Sequence, residues 1–251
     1  MAIVPDYDIP HTRNTVEVCF SPHSFPLYPS GDSIVVVIDV LRATTSICTA
    51  LHFGVERILP VASVIEARNY QSKGFLVAAE RHARRVEGFD LGNSPSEYMN
   101  PELKGKIVVF STTNGTQAIR TARNAYKIVI GAFVNLTELS VWLSKQHRNI
   151  VLLCAGWRDF FNIEDTLCAG AIACNLDKTG QFETSYDSTL AAKSLYETAR
   201  TDIFSFMEKS SHYMRLEKLN LKEDVKYCLT PDKAPVIPVM EGNYIVPYKK
   251  I

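Results

Sequence analysis

Residues 34–53, IVVVIDVLRATTSICTALHF, decide the fold class. Ile34 to Ile38 are five consecutive apolar, mostly β-branched residues with no polar alternation, the pattern of a strand buried on both faces. Asp39 ends the run. Residues 42–53 then read as a helix. A strand covered on both sides and followed at once by a helix belongs to an α/β protein with a parallel sheet.

The same pairing recurs in both directions. ERILPVA (56–62) reads as a strand ending near Pro60, with a helix over 63–73. FLVAA (75–79) is the next strand. IVVFS (107–111) leads to a helix over 114–124, and KIVIGAF (127–133) to a helix running through Trp142. NIVLLCA (149–155) precedes a helix over 163–177, and TVEVCF (15–20) reads as a strand near the start. Residues 187–228 are helical throughout. VIPVM and YIVPY, joined by Glu241-Gly242-Asn243, form a closing β-hairpin over about 235–248. With no repeat or linker, the chain reads as a single domain, 1–251.

Composition excludes several classes of function. The 27 basic and 27 acidic residues cancel, and no uninterrupted basic run exists, which argues against nucleic acid as a partner. No stretch of about 18 apolar residues is present, so no membrane span is expected. Met1 to Arg13 is polar and proline-containing, without the apolar centre of a secretory signal, so the cytoplasm is the compartment expected. The six cysteines contain no CxxC pair, so a structural zinc site is not expected and buried free thiols are. A homodimer is left open.

In open parallel sheets, ligands bind beyond the carboxyl ends of the strands. The residues found there are polar and small. Asp39, Arg42, Thr44 and Thr45 follow one strand and Glu80 and Arg81 another. Thr112, Thr113, Asn114, Gly115 and Thr116 follow a third, and Cys154, Ala155 and Gly156 a fourth. Threonine hydroxyls and free N–H groups at a helix start can cradle an anion, and Gly115 allows close approach. The competing reading is ordinary helix capping. Asp39 ends a strongly apolar strand, a costly place for an unpaired charge. An internal salt bridge to Arg42 or Arg81 is its competing reading. Asp39, Glu80, Asp90, Glu164 and Asp165 are hard oxygen donors that suit Mg²⁺, although Glu164-Asp165 also complements a helix start. Cys154 offers a nucleophile but lacks the arginine six positions on that cysteine phosphatases use, Arg158 standing four positions on, and His212 offers an acid or base but reads rather as a capping or surface residue.

In this order, Asp39-Val40-Leu41-Arg42-Ala43-Thr44-Thr45, Glu80-Arg81, Gly88-Phe89-Asp90-Leu91-Gly92-Asn93-Ser94-Pro95, Thr112-Thr113-Asn114-Gly115-Thr116 and Cys154-Ala155-Gly156 with Glu164-Asp165 form one set. Together with Ser211-His212 and Asp224-Val225, it resembles the ComB family of 2-phosphosulfolactate phosphatases over essentially the whole chain. The resemblance implies a three-layer α/β/α sandwich with a mostly parallel, mixed sheet. It implies a Mg²⁺-dependent acid phosphatase releasing phosphate from 2-phospho-3-sulfolactate, a step of coenzyme M biosynthesis in methanogens. A small anionic phosphate ester is the partner expected. Asp39, Arg42, Glu80 and Arg81 are then the catalytic candidates. Asn93 and Ser94 join the threonine-rich and Cys154–Gly156 segments in binding phosphate or substrate. Departures fall at Ala79 and Ala83, where glycine is usual, and at Tyr213-Met214-Arg215; they bear on the substrate more than on the reaction class. A transferase and a non-catalytic anion-binding protein are the rival functions.

Overall fold

The computed structural model describes residues 13–249. The polar N-terminal stretch weighed for a signal therefore lies almost wholly outside the described residues.

The strands are β1 (Asn14–Cys19), β2 (Ile34–Ile38), β3 (Arg57–Pro60), β4 (Leu76–Arg81), β5 (Arg84–Arg85), β6 (Ile107–Ser111), β7 (Lys127–Gly131), β8 (Ile150–Cys154), β9 (Phe182–Glu183), β10 (Pro238–Glu241) and β11 (Tyr244–Pro247). The helices are α1 (Ala43–His52), α2 (Val64–Gln71), α3 (Gly115–Thr121), α4 (Leu136–Ser144), α5 (Ile163–Asp177), α6 (Asp187–Ala199), α7 (Ile203–Met207), α8 (Ser211–Glu217) and α9 (Lys222–Leu229). The long apolar runs thus fold as read. The two-residue strands β5 and β9 were not anticipated, being too short to show a period.

One mixed sheet runs in the order β5-β4-β6-β3-β11-β10-β7-β2-β8-β1-β9. Alternate residues of each strand enter different cores, which makes the fold a three-layer α/β/α sandwich. Ile34, Val36 and Ile38 pack with α4, α5 and the 187–229 helices, whereas Val35 and Val37 pack with α1 and α3. Ala67 of α2 covers Leu59, Val77 and Val109.

The terminal hairpin does not extend an edge. β10 lies antiparallel to β7 (Val239 opposite Val129) and β11 antiparallel to β3 (Ile245 opposite Ile58), so the hairpin joins two parallel half-sheets. It separates β6 from β2 by five strand spacings of ~4.8 Å, about 24 Å in a flat sheet. Yet a Cβ on Gly115, just after β6, would stand 2.6 Å from the Cβ of Ala43, just after β2. The sheet therefore curls around α1 and α3, and the curl brings the carboxyl ends of the two halves together.

Candidate active site

Where the half-sheets meet lies a cavity of about 150 Å³. Its lining includes Asp39 from the end of β2, Glu80 and Arg81 from β4, and Thr112, Thr113 and Asn114 after β6. Arg42 and Asn93 reach it as well. These eight are residues that the sequence nominated. Trp157 and Arg158, after β8, and His212 and Arg215, on α8, line it too, with Leu41, His82 and Ala83.

Asp39 is locked at the strand end. Its N–H donates to Thr44 Oγ1 (3.0 Å), its carbonyl accepts the Thr44 N–H (2.9 Å), and its Oδ1 accepts the Ala43 N–H (3.3 Å). Burial pushes its carboxyl up to about 7; nearby Glu80 and Glu164 add like charge, while the Ala43 N–H and His212 oppose the rise. Glu80 accepts the Ala83 N–H and the Thr113 hydroxyl (3.3 Å). Glu164 is fully buried behind His212. Its Oε1 bonds His212 Nδ1, while its Oε2 has no hydrogen-bond partner. Among the described residues, no lysine or arginine pairs with any of these three carboxylates.

The guanidinium groups are sorted by their partners. Arg42 is buried and ion-paired with Asp224, and its other amino group donates to the Ala83 carbonyl (2.9 Å). Arg81 donates to the Glu80 carbonyl and to Ser111 Oγ (3.2 Å). Arg158 and Arg215 both stack on Trp157, with guanidinium carbons 5.0 and 4.6 Å from the ring centroid. Sequence reasoning passed over these last two. Arg158 entered it only as an arginine at the wrong spacing from Cys154, and Arg215 only as a departure from a motif. The available signal was two arginines beside residues already singled out.

Other nominated residues hold the scaffold instead. Thr44 and Thr45 are fully buried and turn back onto the end of β2: Thr44 Oγ1 accepts the Asp39 N–H, and the Thr45 hydroxyl donates to the Val40 carbonyl (2.9 Å). Asp90 is a correction: it is exposed, and its Oδ2 accepts the Val77 N–H (2.8 Å) near the amino end of β4, away from the carboxyl edge. Asp165 is another. Its oxygens already accept the Val40 N–H (2.8 Å), the Gly156 N–H (3.1 Å) and the Asn162 amide (2.9 Å), which ties β2, β8 and α5 together. Burial, with Asp39 and Glu164 nearby, raises its carboxyl well above the usual range. The Ser94 hydroxyl donates to Asp224 (2.8 Å), outside the cavity. Thr116 bonds back to Thr112 (3.0 Å).

Cys154 and Ala155 are buried and do not reach the cavity wall, and burial raises the Cys154 thiol well above its ordinary value. All six cysteines are buried and free. Gly156 and Gly115 serve close packing. A Cβ on Gly156, at φ +62°, would strike the Phe160 carbonyl at 2.4 Å, and one on Gly115 would lie 3.0 Å from Asp39 Oδ2.

The donor set suits a divalent cation in one mode only. Among the described residues, no three His, Cys, Asp or Glu side chains form a ready cage. Mg²⁺, however, commonly takes one or two carboxylates and fills its remaining positions with water and substrate phosphate. Asp39 and Glu80, buried side by side without a cationic partner, fit that mode.

Fold and site together define an α/β protein with a small cavity in which arginines, threonines and buried carboxylates face the same space. The chain belongs to the 2-phosphosulfolactate phosphatase family, whose sequence model matches residues 19–243. It is 39% identical over 215 residues to a protein of Caldanaerobacter subterraneus subsp. tengcongensis named "probable 2-phosphosulfolactate phosphatase", covering 84% of this chain and 89% of that one. Proteins of the same name from Thermotoga petrophila and Synechocystis sp. are each 38% identical, over 88% and 81% of this chain and 95% and 87% of theirs. No helix among the described residues is long and apolar enough to cross a membrane.

Proposed function

We propose that the protein is a Mg²⁺-assisted phosphatase that hydrolyses 2-phospho-3-sulfolactate, or a closely related phosphorylated small acid, to the hydroxy acid and phosphate. The observation that carries this reading is one small cavity in which buried Asp39 and Glu80 face the same space as Arg81, Arg158 and Arg215. Carboxylates alone would repel a phosphate ester. Guanidiniums alone would bind it without hydrolysing it.

Asp39 and Glu80 would hold Mg²⁺, which when bound offsets charge on the phosphoryl oxygens. Thr112, Thr113 and Arg81 orient the phosphoryl group with hydroxyl and N–H donors. His212 moves the proton. Its Nδ1 is occupied by Glu164, so Nε2 is the nitrogen left to protonate the departing alkoxide, a poor leaving group without an acid. Buried Glu164 fixes the ring through its bond to Nδ1. Asp39 would orient the attacking water and take up its proton.

The test is phosphate release from a panel of phosphorylated hydroxy acids, with Mg²⁺, with Mn²⁺ and with EDTA. Metal-dependent release into water supports the reading. Product formed only with an acceptor other than water would make the protein a transferase, and saturable binding without release would make it a binding protein. Full turnover in thoroughly chelated enzyme would remove the metal. Cytoplasmic location and a homodimer are further expectations, checked by fractionation and by light scattering.

A further inference from the structure

We infer that Arg158 and Arg215, gathered on the indole of Trp157, form a subsite for a second anionic group of the substrate and set a preference for multiply charged esters. The subsite rests on the phosphatase reading for its substrate, and it takes a sulfonate or carboxylate carried on the carbon skeleton beside the ester.

Four observations converge. First, the other two arginines of the cavity have partners: Arg42 is neutralised by Asp224, and Arg81 donates to the Glu80 carbonyl and to Ser111. Second, Arg158 and Arg215 pair with no carboxylate among the described residues, and Arg215 Nε is buried without a hydrogen-bond partner. Third, two like charges share one aromatic ring. Indole attracts each guanidinium, but each repels the other, and burial together with Arg158 lowers the Arg215 pKa even as Glu164 and Glu80 oppose this. An anion held by both would relieve that repulsion and satisfy the orphaned donor.

Fourth, the backbone that carries each arginine is ordered. Trp157 and Phe160 exchange backbone hydrogen bonds (2.9 and 3.0 Å) across a two-residue turn in which Arg158 and Asp159 take φ of +52° and +63°. The Arg158 N–H also donates to Asn114 Oδ1 (3.3 Å), fastening the turn to the opposite half-sheet. Arg215 lies three residues after His212 on α8, and so on the same helix face. A planar guanidinium fork suits sulfonate and carboxylate oxygens better than an ammonium would. With about 150 Å³ available, a short acid bound by its phosphate near Asp39 has this wall within reach of its remaining charge.

The experiment compares 2-phospho-3-sulfolactate with glycerol 2-phosphate, which keeps a three-carbon skeleton but carries no second anion. Arg158→Gln and Arg215→Gln are each expected to lower kcat/KM for the sulfonated ester about 10- to 100-fold, the loss of one charge-assisted contact. The loss on glycerol 2-phosphate should be about tenfold smaller. Equal losses on both esters, or no loss on either, would overturn the subsite. A second readout keeps the phosphatase reading separate: titration of the intrinsic fluorescence with sulfoacetate, which has no ester to hydrolyse. Trp157 lies under both guanidiniums, and Trp142 is the other tryptophan. A saturable change that needs about tenfold more sulfoacetate in Arg158→Gln supports the subsite even if no ester is hydrolysed. Identical titrations, or no saturable change, remove it whatever the activity.

Discussion

The guanidinium of Arg42 is ion-paired with the carboxylate of Asp224, 182 residues further along the chain, and both side chains are largely withdrawn from solvent. The pair joins the start of α1 to α9, and Ser94 adds a hydrogen bond to the same carboxylate. Arg42 is thus engaged by the protein itself. Its effect on the site passes through the Ala83 carbonyl it holds, since the Ala83 N–H in turn holds Glu80.

Asp224→Asn should therefore act on stability first. Removing one partner of a buried pair leaves the other charge uncompensated, a loss of roughly 3–5 kcal/mol. The melting temperature should fall by roughly 2–4 °C for each kcal/mol lost. An unchanged melting curve would mean that Arg42 is neutralised elsewhere and is free to contact substrate.

Asp39→Asn should abolish most turnover while stabilising the metal-free protein at alkaline pH. The sign follows from the raised carboxyl. Its pKa is about 7 in the folded chain against 3.8 as reference, so below pH ~4 the carboxyl is protonated in both states and carries no penalty. Stability is then lost as pH rises through 7, because ionising the buried group is unfavourable. In chelated buffer the variant should melt several degrees above the parent at pH 8, with the difference vanishing near pH 4. A variant that keeps parental turnover would return Asp39 to a purely structural role.

His212→Asn should lower kcat by roughly 10²- to 10⁴-fold with KM little changed, the range for loss of a positioned acid. Glu164→Gln should cost less, because the ring keeps a neighbour but loses its buried charge. Steady-state kinetics on esters with progressively better leaving groups checks the assignment. The His212→Asn deficit should shrink as the leaving group needs less protonation, and a constant deficit would argue for a structural histidine.

Ala83→Gly should stabilise the protein. His82 and Ala83 form the turn between β4 and β5 with φ of +58° and +62°, a conformation that disfavours a Cβ by roughly 1–2 kcal/mol. Glycine removes that strain at some cost in chain entropy, for a net gain of about 1 kcal/mol or less. A lower melting temperature would show that the turn tolerates alanine without strain.

Much of this protein was legible without coordinates. Ile34–Ile38, Ile107–Ser111 and Ile150–Cys154 are continuous apolar runs, and such runs can satisfy their surroundings only as buried strands, so the parallel sheet and its carboxyl edge followed. Asp39, Glu80 and Thr112–Asn114 were found from that edge alone. Local pattern could not show where the last hairpin goes. VIPVM and YIVPY bury equally well at an edge or at a seam, and only pairing with β7 and β3, more than a hundred residues earlier, sends them to the middle. That insertion sets the curl, the curl presses Gly115 against Ala43, and the resulting cavity draws part of its wall from Trp157, Arg158, His212 and Arg215. Asp90 and Asp165 were misjudged for the same reason. A carboxylate next to a strand reads alike whether it faces a ligand or caps backbone N–H groups, and its direction is set by contacts distant in sequence.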